Sequence, residues 1–181
     1  MNNLLKTQAK LQKQAFNVVD KLNLKDILGH YGDFELAGSI KYDLMTWRDI
    51  DANLIFDEDP SDNEFWEIVK RLFALPRVKL LTIADNRDQS EENRPRSMYI
   101  GIRQKDEEGE EWKIDLRLIA RDQVTTDKIT KLINEKVPQG SRGKLHFIED
   151  DLGTVFAEKI GIADRVKPSS STVRFLRITI I

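Results

Sequence analysis

Residues 50–56, IDANLIF, alternate with the two-residue period of a strand that buries one face. Ile50, Ala52, Leu54 and Phe56 share one side, and Asp51, Asn53 and Ile55 share the other. Asp49 heads the same run, so two aspartates stand at i and i+2. On a strand that spacing projects both carboxylates to one face, where they can converge on a hard cation. Mg²⁺ takes oxygen ligands in near-octahedral geometry and completes its shell with water or phosphate oxygens. The plain alternative is a solvated turn leading into a strand. Asp51 argues against it, because it occupies a place at the start of an apolar strand where a smaller or apolar residue would sit better.

The rest of the pattern surrounds this strand with helices and further strands. Residues 3–22 have amphipathic helical spacing, with Leu4, Leu11, Ala15, Val18, Val19 and Leu22 on one side. Residues 33–37, DFELA, read as a short strand entering Gly38-Ser39, and a short helix at roughly 40–45 is expected next. Ser61 and Glu64 have capping-box spacing ahead of an apolar helix face of Phe65, Trp66, Ile68, Val69, Leu72 and Phe73, and Pro76 stops that helix. Trp66 and Phe73 are expected in the core. Three strands at 78–83, 97–102 and 111–119 form a meander, the last two joined through KDEEG with Gly109 at the turn. Trp112 reads as an edge or covering residue. Helices are expected over 127–136 and 149–160, followed by a loop and a terminal strand whose apolar end needs a partner. The order predicts an α/β or α+β fold, a mixed sheet covered by helices on one side. One domain over 1–181 is expected, with a core at 30–120 and an extension at 121–181.

Composition removes several classes of function. At 181 residues, 40% hydrophobic and 33% charged, the chain has globular rather than disordered composition. With 29 basic against 31 acidic residues it is not a general nucleic-acid binder. The absence of cysteine excludes disulfides, thiol nucleophiles and cysteine-based metal sites. His30 and His146 are far apart and form no HExxH pattern, so a histidine-rich zinc site is not indicated; His30 reads as structural, and His146 as structural or as a general base. No apolar run approaches the length of a membrane span, and residues 1–16 lack a signal-peptide core. The expected location is the cytoplasm. There is no GxGxxG and no GxxxxGK[ST], so neither dinucleotide nor P-loop binding is indicated.

The segment 36–58, LAGSIKYDLMTWRDIDANLIFDE, resembles the signature of the nucleotidyltransferase (polymerase beta-like) superfamily. That signature is a hydrophobic residue, Gly-Ser, a short gap and Asp-hydrophobic-Asp, with a third carboxylate on a later apolar strand. Asp115, within WKIDL, matches the third position. The resemblance extends over residues 33–119. It implies that Gly38 and Ser39 contact the β- and γ-phosphates of a nucleoside triphosphate. It implies that Asp49 and Asp51 bridge Mg²⁺ ions, and that Asp115 ligates the catalytic metal or acts as general base. Glycine at 38 would admit close backbone approach to phosphate, and Ser39 would add a hydroxyl and an amide. Family members often carry a second glycine after Gly-Ser; here Ile40-Lys41-Tyr42 stands instead, and Lys41 is the substitute phosphate contact. Arg48 and Arg117 would contact phosphate or an acidic acceptor, with charge balancing an equal alternative.

Asp115 has its own alternative, an ion pair with Lys113, Arg117 or Arg103, since a carboxylate inside a strand must be hydrated, paired or metal-bound. Trp47 is either a pocket wall or a core or rim residue. The function implied is Mg²⁺-dependent transfer of a nucleoside monophosphate, from ATP as the expected donor, to a hydroxyl of a small molecule or protein. The rival is a non-catalytic nucleotide-binding or protein-interaction member of the same fold. A monomer or homodimer is expected, with no membrane or nucleic-acid partner.

Overall fold

The computed structural model describes residues 3–42, 45–88, 95–124 and 175–179. The expected helices at 127–136 and 149–160 and the residue His146 lie outside them. The chain runs α1 (Asn3–Lys21), α2 (Leu24–Gly29), β1 (Asp33–Ala37), α3 (Gly38–Lys41), β2 (Asp49–Phe56), α4 (Asp62–Phe73), β3 (Val78–Asp85), β4 (Met98–Lys105), β5 (Glu111–Ala120) and β6 (Phe175–Thr179). The strands form one sheet in the order β1-β2-β5-β4-β3-β6. β2 and β5 are parallel, and every other pairing is antiparallel. The fold is therefore a mixed sheet with helices, as the element order predicts. No described helix is long and apolar enough to cross a membrane.

One apolar cluster joins the helices to a single face of the sheet. Leu11, Ala15, Val18 and Val19 of α1, Leu24 and Leu28 of α2 and Phe65, Ile68, Val69 and Leu72 of α4 meet Ile50, Leu54, Ile100, Ile102, Ile114 and Leu116. Residues alternating with these point to the other face, which carries Asp49, Asp51, Lys113, Asp115, Arg117 and Tyr99. The strand period thus divides the sheet into a packed face and a polar one.

Local signals place most elements. Ser61 Oγ accepts the Glu64 N–H, and Glu64 returns a carboxylate to the Ser61 N–H at 2.9 Å, the capping box expected for α4. Gly109 turns the β4–β5 hairpin at φ +84. The terminal strand finds its partner within the chain, since β6 pairs antiparallel with the β3 edge. α2 was not anticipated: six residues are too few to show a helical period, and Asn23 turns the chain into it in the left-handed region at φ 52.

Two expectations about tryptophans and a phenylalanine are corrected. Trp66 and Phe73 are 43% and 41% exposed. The inward stripe of α4 is 65, 68, 69 and 72; positions 66 and 73 lie seven apart on its flank, beyond the reach of the sheet. Trp112 is fully buried rather than at an edge. β5 lies between β2 and β4, and position 112 belongs to the packed face. Its indole N–H is satisfied by Asp106 Oδ2 at 3.0 Å. Burial works against the Asp106 carboxylate, but donors from Trp112, Glu110 and Glu108 outweigh it and hold its pKa below the usual value.

Candidate functional site

The parallel pairing of β2 with β5 assembles the polar cluster. Its register sets Asp49 opposite Lys113 and Asp51 opposite Asp115. Since i and i+2 share a face, all four side chains emerge together. Lys113 Nζ lies 2.5 Å from Asp115 Oδ2 and 3.4 Å from Asp49 Oδ2, so one ammonium bridges carboxylates on neighbouring strands. The ion-pair alternative for Asp115 is therefore realised with Lys113. Asp115 Oδ1 accepts the Tyr99 hydroxyl at 2.8 Å.

Tyr99 reaches Asp115 across a glycine. Gly101 stands opposite Asp115 in the β4–β5 register, and a Cβ at 101 would collide with the Tyr99 hydroxyl. The bare backbone there is the channel through which the ring lies. Burial and the Asp115 charge push the Tyr99 phenol well above its ordinary pKa, so it remains a donor. Tyr99 has no signal in the sequence, because nothing local says which strand faces it.

Gly38 serves the cluster in a way the sequence did not indicate. It lies at φ +57, and a Cβ there would collide with Asp51 Oδ2. The glycine admits the Asp51 carboxylate against the β1–α3 turn. Gly38→Ala is expected to cost about 1–2 kcal/mol for the left-handed backbone and to displace Asp51. Thermal denaturation checks this; a variant melting with the wild type would show that the turn relaxes freely.

Burial raises the Asp51 carboxyl to about 6, with Asp49 and Asp115 adding repulsion and Lys113 and Arg117 opposing it. Burial also raises Asp49, opposed chiefly by Lys113. For Lys113, burial disfavours the charge, but the hydrogen bond to Asp115 and the charges of Asp49 and Asp115 outweigh it, and its pKa lies above the ordinary one. Trp47 sits on the rim, donating its indole N–H to Asp49 Oδ2 at 3.2 Å.

The remaining candidates are placed differently. Ser39 follows Gly38 in the turn and is half-buried. Lys41 is exposed, with Nζ 3.8 Å from Glu35 on β1. Arg48 is turned away from the carboxylates to Glu110, at 3.3 Å. Arg117 is exposed on the polar face beside Asp115.

Which oxygens are free decides how a cation fits. Asp49 Oδ1 is buried without a hydrogen-bond partner, and only charges and burial act on the Asp51 carboxylate. Both oxygens of Asp115 are engaged by Tyr99 and Lys113. Among the described residues no three His, Cys, Asp or Glu side chains are grouped to hold a metal. The unsatisfied Asp49 Oδ1, with Asp51 two residues along the same strand face, fits a hard cation that draws its other ligands from water or phosphate.

No family model and no curated protein matches the chain. Among solved structures it is similar to the small alarmone synthetase 1 from Bacillus subtilis bound to its product pppGpp. The identity is 10% and the TM-score 0.41, over 77% of this chain and 84% of that one. It is also similar to a GTP pyrophosphokinase family protein from Streptococcus pneumoniae, with 10% identity and a TM-score of 0.40 over 78% and 79% of the two chains.

Proposed function

We propose that the chain is an Mg²⁺-dependent nucleotidyltransferase that moves a nucleoside monophosphate from a triphosphate, ATP first, to a hydroxyl of a small molecule or protein. The observation that carries this reading is the β2–β5 register, which sets Asp49, Asp51, Lys113 and Asp115 on one polar face beside the Gly38-Ser39 turn. Asp49 and Asp51 would hold the metal. Mg²⁺, when bound, would supply charge neutralisation for the triphosphate and the departing pyrophosphate.

The chain's own groups then have definite tasks. The Gly38-Ser39 turn and Lys41 flank the triphosphate. The acceptor oxygen bonds to the α-phosphorus as the bond from that phosphorus to the β-phosphate's bridging oxygen breaks, and pyrophosphate leaves with the bonding pair. Asp115 takes the hydroxyl proton, its carboxylate oriented by Tyr99. Lys113 and Arg117 supply positive charge next to the transferred phosphoryl group.

A second reading is a non-catalytic nucleotide-binding or protein-interaction chain. What favours it is that both Asp115 oxygens are already satisfied by protein donors, the arrangement of a structural ion pair. Calorimetric titration with ATP, GTP, CTP and UTP, each with and without Mg²⁺, tests the first reading. Mg²⁺-dependent binding of at least one nucleotide is expected. Absence of binding to all four, in the presence of the metal, would leave only a protein-interaction role standing.

A further inference from the structure

Lys113 is a partner of Asp49 as well as of Asp115. Its Nζ lies between two carboxylates on different strands, and among the described residues it is the only cation paired with either. Arg103, opposite it on β4, turns instead to Glu111 at 3.7 Å. Asp51 has no ion pair of its own among the described residues, and Asp49 Oδ1 remains unsatisfied. Two of the three carboxylates, Asp49 and Asp115, therefore share one ammonium, which would compete with any other cation drawn to that pair. A lysine suits this place: its charge is compact, and four flexible methylenes let the head move without disturbing the strand.

We propose that Lys113 is a resident counter-cation, which holds Asp49 and Asp115 together in the metal-free protein and is displaced onto the incoming phosphates when a divalent ion arrives with its triphosphate. The site then resists the metal alone and accepts the metal–triphosphate pair, because only the pair brings negative charge for the displaced ammonium. This inference rests on Asp49 and Asp51 as the metal-binding carboxylates. It concerns the order and coupling of binding, not the transfer step.

Free Mn²⁺ measured by electron paramagnetic resonance, without nucleotide, tests it on the wild type, Lys113→Met, Lys113→Gln and Asp51→Asn. Lys113→Gln keeps a hydrogen-bond donor near Asp115 without the charge, so it covers the case in which the apolar variant fails to fold. The expected result is Mn²⁺ binding about tenfold tighter in either Lys113 variant, for removal of one unit charge at contact distance. The melting temperature of the metal-free variants should fall and be restored by Mn²⁺, while affinity for Mn²⁺ with ATP weakens. Equal or weaker Mn²⁺ binding by the folded Lys113 variants overturns the proposal. If wild-type binding nevertheless disappears in Asp51→Asn, the metal-binding role of the carboxylates survives that failure. If no protein in the set binds Mn²⁺ either alone or together with ATP, both ideas fall together.

Discussion

Asp51→Asn is expected to abolish Mg²⁺-dependent nucleotide binding while making the metal-free protein more stable. The loss should be at least about a hundredfold, since even outer-shell partners of a metal ligand are worth 10–100-fold. The stability gain follows from the same charge. Asp51 is buried beside Asp49 and Asp115, and its pKa is raised from 3.8 to about 6. The folded protein therefore holds this proton more tightly than the unfolded chain does. The resulting stability is fully present below about pH 4 and is lost as the pH rises through about 6. An ionised Asp51 at neutral pH thus costs on the order of 3 kcal/mol against its neutral form. Asparagine is neutral throughout, so the variant's melting temperature in the presence of EDTA should lose much of the fall expected of the wild type between about pH 4 and pH 7. Calorimetry with MgATP reads the first half of this expectation, and thermal melts across that pH range read the second. Undiminished MgATP affinity in Asp51→Asn would remove the carboxylates from the proposed site.

The largest effect on folding is expected from Trp112→Ala, at about 3–5 kcal/mol. Trp112 is fully buried on the packed face of a central strand. Truncation leaves a cavity lined by neighbours that the sheet holds in place, so collapse recovers little. It also removes the donor to Asp106 Oδ2, although the backbone N–H groups of Glu108 and Glu110 still hold Oδ1. Trp112→Phe keeps most of the apolar volume and loses the indole donor, so it should recover more than half of the loss. Urea denaturation of the two variants measures both. A cost below about 1 kcal/mol for Trp112→Ala, in the range of ordinary surface substitutions, would mean that β5 is not packed at the centre of the sheet. The site would respond as well, because Lys113 and Asp115 follow Trp112 on the same strand.

Local chemistry made much of this legible. The period of two in 50–56 assigned every side chain of β2 to its face, because a strand's geometry alternates whatever lies beside it. The Ser61–Glu64 spacing marked the start of α4, because both bonds of the capping box close within one turn. The errors share a different origin. Hydrophobicity alone puts Trp66 and Phe73 in the core, yet the width of a buried stripe is set by what packs on it. Trp112 was placed at an edge because strand order is a property of the assembled sheet, and β5 is central only since β2 pairs with it across the intervening α4, β3 and β4.

The same division runs through the candidate site. Asp49 and Asp51 were bound to share a face by their spacing alone, and Asp115 stood out as a carboxylate inside an apolar strand. Their meeting was decided by tertiary structure. Only the parallel register sets Asp51 opposite Asp115 and Asp49 opposite Lys113, and a slip of one residue would turn β5's charges toward the packed face. The contacts of Tyr99 across Gly101, and of Asp51 against Gly38, arise in the same way. Side-chain periodicity is carried by each residue's own backbone and can be read one strand at a time. Strand partnership is chosen by the burial of whole faces, so it exists only once the sheet has closed on its helices.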